Sequence, residues 1–268
     1  MRGSARRPLG LAEAVWGETL KLRRSKIGPV SLLAALVIPL VLGLFMKVLV
    51  DPSWAERFGL VTLKAQAIGT SADWSGFFSM LTQAISVGGL MIFGVLGAWL
   101  FGREFSDGTM KDLLALPVGR SVVVGAKFLV LGFWCSALAI GVWAGAIAIG
   151  GLLGIPGWSG PLLFHAAGRF FAAAALTLVL CTTFGFAATA GRGYLAAVGT
   201  LFAVLFCAQI LAALGLGPWF PFSVPALMSG VAGSAGTPIG PLSYLIVVAT
   251  GAAAVGATML WWHRVDQA

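Results

Sequence analysis

The chain has 268 residues, of which 59% are hydrophobic and 10% charged, with a formal net charge of +8 and a mean hydropathy of +0.98. Nine acidic and seventeen basic side chains cannot coat a water-soluble globule of this size, which excludes a soluble enzyme and a soluble nucleic-acid-binding domain. What remains is an all-α integral membrane protein, because its apolar runs match the roughly 20 residues that a helix needs to cross about 30 Å of hydrocarbon.

Residues 9–24 come before the first apolar run and carry a lopsided helical pattern. Leu11, Val15 and Leu22 share one face, and Glu13, Gly17, Lys21 and Arg24 share the other. The pattern predicts an amphipathic helix along the inner leaflet. A plain topogenic charge cluster is the alternative, since Arg23 intrudes toward the apolar stripe. Apolar runs of span length then lie near Val30–Val50, Phe77–Phe101, Val122–Leu153, Phe170–Ala190, Tyr194–Leu216 and Pro241–Trp262. The first is too long for the core of a cleavable signal and is expected to stay as a span. Pro39 should kink it. Gly141 and Gly145 in the third run form a G-x-x-x-G step suited to close packing within one subunit. Cys135, Cys181 and Cys207 all lie in apolar runs, at spacings that suit neither a disulfide framework nor a metal site.

Basic residues fix the expected orientation, because cytoplasmic flanks accumulate them. Thirteen of the seventeen fall on one side: seven before the first span, then Arg103, Lys111, Arg120, Lys127, Arg192 and Arg264. Lys47, Arg57, Lys64 and Arg169 fall on the other. Both termini are therefore expected in the cytoplasm. On the outer side, residues 51–76 form one loop with Trp54 and Trp74. Residues 216–240 form another with Pro218, Pro221, Pro225 and Pro238. The 216–240 stretch reads as a lid, with Trp219 and Phe220 as outer-gate candidates, or as a plain connecting loop at headgroup level.

Residues 102–127 form a mixed-charge island between the second and third runs. Asp107-Gly108 is a turn dipeptide, Thr109 with Asp112 is a helix-start signature, and Pro117 stops the helix by disfavouring α geometry at Leu116. A helix of about two turns is predicted, with Met110, Leu113 and Leu114 on one face, ready either for a groove on a partner or for the chain's own membrane domain. At these residues the chain resembles the permease subunits of type-2 ABC exporters. Glu104, Gly108-Thr109, Leu113-Leu114, Pro117, Arg120 and Lys127 are similar to their coupling-helix segment. Glu18, Lys21 and Arg24 ahead of the first span are similar to their N-terminal flank.

The resemblance implies a single permease domain over 1–268, with 103–120 resting on a separate ATPase subunit. Its contacts would be Glu104, Gly108, Thr109, Met110, Leu113, Leu114, Pro117 and Arg120. It also implies two ATPase copies that carry the ATP and Mg, a second permease subunit as homodimer or heterodimer, and a bacterial cell membrane. The chain agrees in lacking a P-loop of its own: Gly119, Gly125, Ala126 and Lys127 have the wrong spacing and run into Phe128.

Driving force can also be read from the spans. Ion-coupled carriers keep titratable groups on their path, and the cores of these spans hold neutral ones instead. Gln83, Ser86, Thr177, Thr182 and Gln209 are the path candidates, suited to an amphiphilic or lipid-like cargo. Interhelical hydrogen bonds are their plainer use. A proton-coupled carrier or channel is the main alternative function. An intramembrane serine protease built on Gly157-Trp158-Ser159-Gly160 is a remote one, since His165 sits in the same loop and His263 at the opposite face. No catalytic residue, metal ligand or nucleic-acid contact is assigned.

Overall fold

Each apolar run folds as one helix, since hydrocarbon offers backbone N–H and C=O groups no partner outside their own segment. A computed structural model describes residues 10–51, 71–114, 118–231 and 239–264. Among them six helices are long and apolar enough to cross a membrane: α2 (Ile27–Val50), α3 (Trp74–Ser106), α5 (Arg120–Leu152), α6 (Gly160–Ala190), α7 (Tyr194–Ala213) and α9 (Pro241–Arg264). Shorter pieces are α1 (Leu11–Arg24), α4 (Met110–Leu114) and α8 (Val224–Ser229), the last preceded by 3-10 turns at Gly217–Trp219 and Pro221–Ser223. Arg57, Lys64, Trp54, Pro117 and Pro238 lie outside the described residues.

Two boundaries differ from expectation. The fourth span starts at Gly160, ten residues before Phe170, because Ser159 caps it by accepting from the Leu162 N–H at 3.4 Å and Pro161 fits the first turn. The second span runs on to Ser106 and so absorbs Glu104, with Met110–Leu114 the described part of the expected coupling helix. The helix α3 is the centre of the bundle. It packs most extensively on α6, with α7 and α2 also against it, while α9 lies on α6 and both α1 and α2 lie on α5. Helix α2 continues through Pro39, and a Cβ on Gly145 would stand 3.2 Å from the proline ring. A Cβ on Gly141 would meet nothing within 4 Å among the described residues, so only Gly145 of the G-x-x-x-G step has a neighbour close enough to need a glycine.

The bundle has two unlike ends. At one, α1, the C-terminal turn of α3, the start of α5 and the end of α9 meet; Arg120 donates to the Trp262 carbonyl at 3.1 Å, and Ser121 lies 3.1 Å from His263 Nε2. At the other, rings dominate. Trp74 sits 4.7 Å from Trp158 and 5.2 Å from Phe78, which stacks on Trp143 at 4.9 Å, which in turn meets Phe170 at 5.2 Å. The Trp74 ring lies so close over Gly150 that a Cβ there would collide with it.

Candidate functional site

Helix α1 presents Val15, Glu18 and Leu22 to the bundle and leaves Trp16 66% exposed. Lys21, which periodicity alone puts on the outer polar face, turns inward with Glu18 one turn before it. From α5, Lys127 lies two turns past the helix start and is 0% exposed. Its ammonium donates to Glu104 Oε1 at 2.7 Å, to the Leu100 carbonyl at 2.8 Å and to Glu18 Oε2 at 3.0 Å. All three of its protons are thus used. Lys21 bridges Glu18 Oε1 at 2.6 Å and Glu104 Oε1 at 3.2 Å.

Two lysines and two glutamates form a charge-balanced quartet that ties α1, α3 and α5 together. Burial makes the balance obligatory, because a charge left alone at such a site costs far more than the pair returns. Burial pushes the Glu18 pKa up, but the neighbouring Lys127 and Lys21 charges and their hydrogen bonds overcome it and hold the carboxyl below its usual value. Burial likewise lowers the Lys21 pKa, and Glu18 and then Glu104 overcome it and hold the ammonium above its usual value. Glu104 Oε2 is buried without a hydrogen-bond partner among the described residues.

Beside the quartet lies the α3–α4 turn. Gly108 takes φ +69°, a left-handed conformation that glycine adopts without steric cost. Gly108, Thr109, Lys111 and Asp112 are exposed and form a ledge. Arg103 reaches back from α3 to Asp107 at 3.8 Å and lies over the Trp99 ring at 4.8 Å.

The residues expected to contact an ATPase subunit divide here. Met110 is 7% exposed and Glu104 2%, so both face inward in the single chain. Leu113 is half-buried and packs on the chain's own core. Arg120 is half-buried and spent on the Trp262 carbonyl. Met110 and Leu113 of α4 are thus turned to the chain's own core, and the polar face with Lys111 and Asp112 remains exposed. Leu114 is the last described residue of α4, while its side chain and Pro117 fall outside the described residues.

The path candidates also divide. Ser86 and Gln209 line one cleft, with Leu90, Phe222 and Ser223 among its other walls. Its free volume is about 20 Å³, room for about one water. Ser223 closes it from the 216–231 segment by donating to the Ala208 carbonyl at 3.0 Å, and Phe222 packs on Phe184 at 5.9 Å. Gln83 lies outside this cleft and only approaches Ser79, at 3.5 Å. Thr177 is buried and bonds its own helix at Ala173, while Thr182 leans toward α9 through the Gly251 carbonyl at 3.3 Å. Of the gate candidates, Trp219 is 66% exposed, and Phe220 touches Phe222 at 5.7 Å. The inserted ring is Phe222, which sequence did not single out. Ser159 serves as the α6 cap, and His165 is exposed beside Phe164, so no nucleophile–base pair forms there.

Residues 14–209 match the family described as ABC-2 family transporter protein, a range that takes in the quartet, the ledge and the cleft through Gln209. The bacitracin transport permease protein BCRB of Bacillus licheniformis is 25% identical over 193 residues, which cover 66% of this chain and 85% of that relative. The chain therefore belongs to the ABC-2 transporter family, as a multi-pass permease subunit of an ATP-binding cassette transporter.

Proposed function

We propose that the chain is the membrane half of an exporter driven by ATP hydrolysis on a separate subunit, with both termini and the α4 ledge in the cytoplasm of a bacterial cell. The observation that carries this is the ledge itself. Gly108, Thr109, Lys111 and Asp112 stand free on a turn whose two flanking spans are locked together, and to α1, by the buried quartet. A push on a surface so mounted moves α3 and α5 as one body, because close-packed, ion-paired elements shift together rather than deform. ATP and Mg belong to the partner, present in two copies beside two permease subunits, which are either identical or paired as a heterodimer.

The cargo we assign is amphiphilic: a lipid-like molecule, drug or peptide antibiotic. The neutral Ser86 and Gln209 beneath Phe222 support this, since an ion-coupled site would put titratable groups there. A relative named for bacitracin transport is consistent with it. The residues 216–231 then act as the lid that closes the outer end. The test is ATP turnover in proteoliposomes. The purified chain alone should give none, and the chain with its co-purified ATPase subunit should give turnover stimulated by an amphiphilic cargo. Turnover by the chain free of other protein, or proton-driven uptake without ATP, would overturn the proposal.

A further inference from the structure

A second cleft, separate from the Ser86 and Gln209 cleft and sharing no residue with it, lies between α3, α5 and α6. Its free volume is about 280 Å³. The floor is Phe93, Cys135, Ala139 and Ala174, all buried, and the rim is Ile140 and Phe171, 58% and 37% exposed. Its depth follows from helix geometry. The midpoints of α3, α5 and α6 are Leu90, Ser136 and Ala175, and the lining clusters around these positions. The cleft therefore opens sideways near the middle of the hydrocarbon layer.

Its chemistry restricts what can fill it. The Ser136 hydroxyl and the Cys135 thiol are the polar groups of the lining, and no charged side chain among the described residues lines it, so these residues offer a headgroup no charge to recognise. An apolar cavity does not hold water, and left empty its walls forfeit dispersion contacts. The volume falls just under the 300 Å³ or so at which pockets for whole small ligands begin, which suits a tail rather than a complete amphiphile. A phospholipid tail descends about 15 Å from either interface to the midplane, half of a roughly 30 Å core, so its last methylenes arrive at this depth.

We propose that the α3/α5/α6 cleft holds the terminal stretch of an acyl chain from a bilayer phospholipid. The gap exists because alanines, Ala139 on α5 and Ala174 and Ala175 on α6, face each other where larger side chains would close it. The tail completes the wall over Phe93, a residue of the central helix, so lipid occupancy supports α3 at that point.

The test is photolabelling of the full chain in vesicles of palmitoyl-oleoyl phosphatidylethanolamine and phosphatidylglycerol, doped with a phospholipid that carries a diazirine at the chain terminus. Adducts are mapped by peptide mass spectrometry. Val37 and Leu40, exposed near the midpoint of α2, give the depth-matched background of ordinary lipid contact. Adducts on Cys135, Ala139 and Phe171 should exceed that background by about tenfold, one decade of affinity. Ser136→Trp, a rim change at an exposed position, should erase the excess while leaving the α2 adducts unchanged. A probe with its diazirine beside the glycerol should show no excess. Equal labelling of cleft and α2, or an excess that survives Ser136→Trp, would overturn the proposal. So would a disulfide between two copies through Ser136→Cys, which would show a second subunit covering the cleft.

Discussion

The two ends of the bundle are held by opposite physics. At the end with α1 and α4, four charges are taken out of water and must balance, so each member matters through the partners it would strand. At the other end, Trp74, Phe78, Trp143 and Phe170 hold the spans by ring contact and area, where losing one member leaves the rest intact. The charged end is therefore all-or-none and suited to passing on a displacement, while the aromatic end degrades piecemeal and suits an anchor.

The largest expected effect breaks the charged end. Lys127→Met leaves two buried carboxylates facing Lys21 alone and should cost about 3–5 kcal/mol, read as a lower denaturation midpoint in detergent. Removing Glu104 as well, with Lys127→Met plus Glu104→Leu, restores neutrality and should recover most of that loss. A double variant as unstable as the single one would mean that charge balance is not what holds α1. At the aromatic end, Gly150→Ala drives a methyl into the Trp74 ring. It should cost about 1–3 kcal/mol by overpacking, without the rescue seen at the charged end.

Acid should separate the ends more gently. Glu18 has a folded pKa below its unfolded one, so its contribution is full above about pH 4.3 and is lost as pH falls through the lower folded value. Lys21 is the reverse: its contribution is full below about pH 10.4 and is lost as pH rises through the higher folded value. Between these limits α1 stays docked. A nitroxide on Ala12→Cys should gain mobility only as the pH falls below the ordinary carboxylate range, while the aromatic contacts hold. The smallest effect on stability is expected at the ledge. Lys111→Glu should change it by no more than about 0.5 kcal/mol and still weaken co-purification of the ATPase subunit.

The spans were legible because hydrocarbon demands long apolar helices, and hydropathy reports that demand directly. The first turns of α6 were not, since His165, Gly168 and Arg169 dilute the signal; the Ser159 cap and Pro161 were the clues available. The quartet was hidden for a different reason. Glu18 and Lys127 are 109 residues apart, and one chain cannot reveal which distant charges meet. A lone lysine two turns inside an apolar run was the sign, because such a charge must be paired where it is buried. Met110 and Leu113 of α4 were legible as neighbours on one stripe, and the structure turns both toward the chain's own core. Periodicity says which residues lie together, and only packing says what covers them.

That last point carries the central claim, that a separate ATPase grips the polar ledge rather than the apolar stripe. A photo-crosslinking amino acid placed at Lys111 or at Met110, in cells that make both subunits, tests it most directly. An adduct of permease plus ATPase mass from position 111 and none from position 110 is the predicted result. Crosslinking from position 110 with none from position 111 would contradict the account.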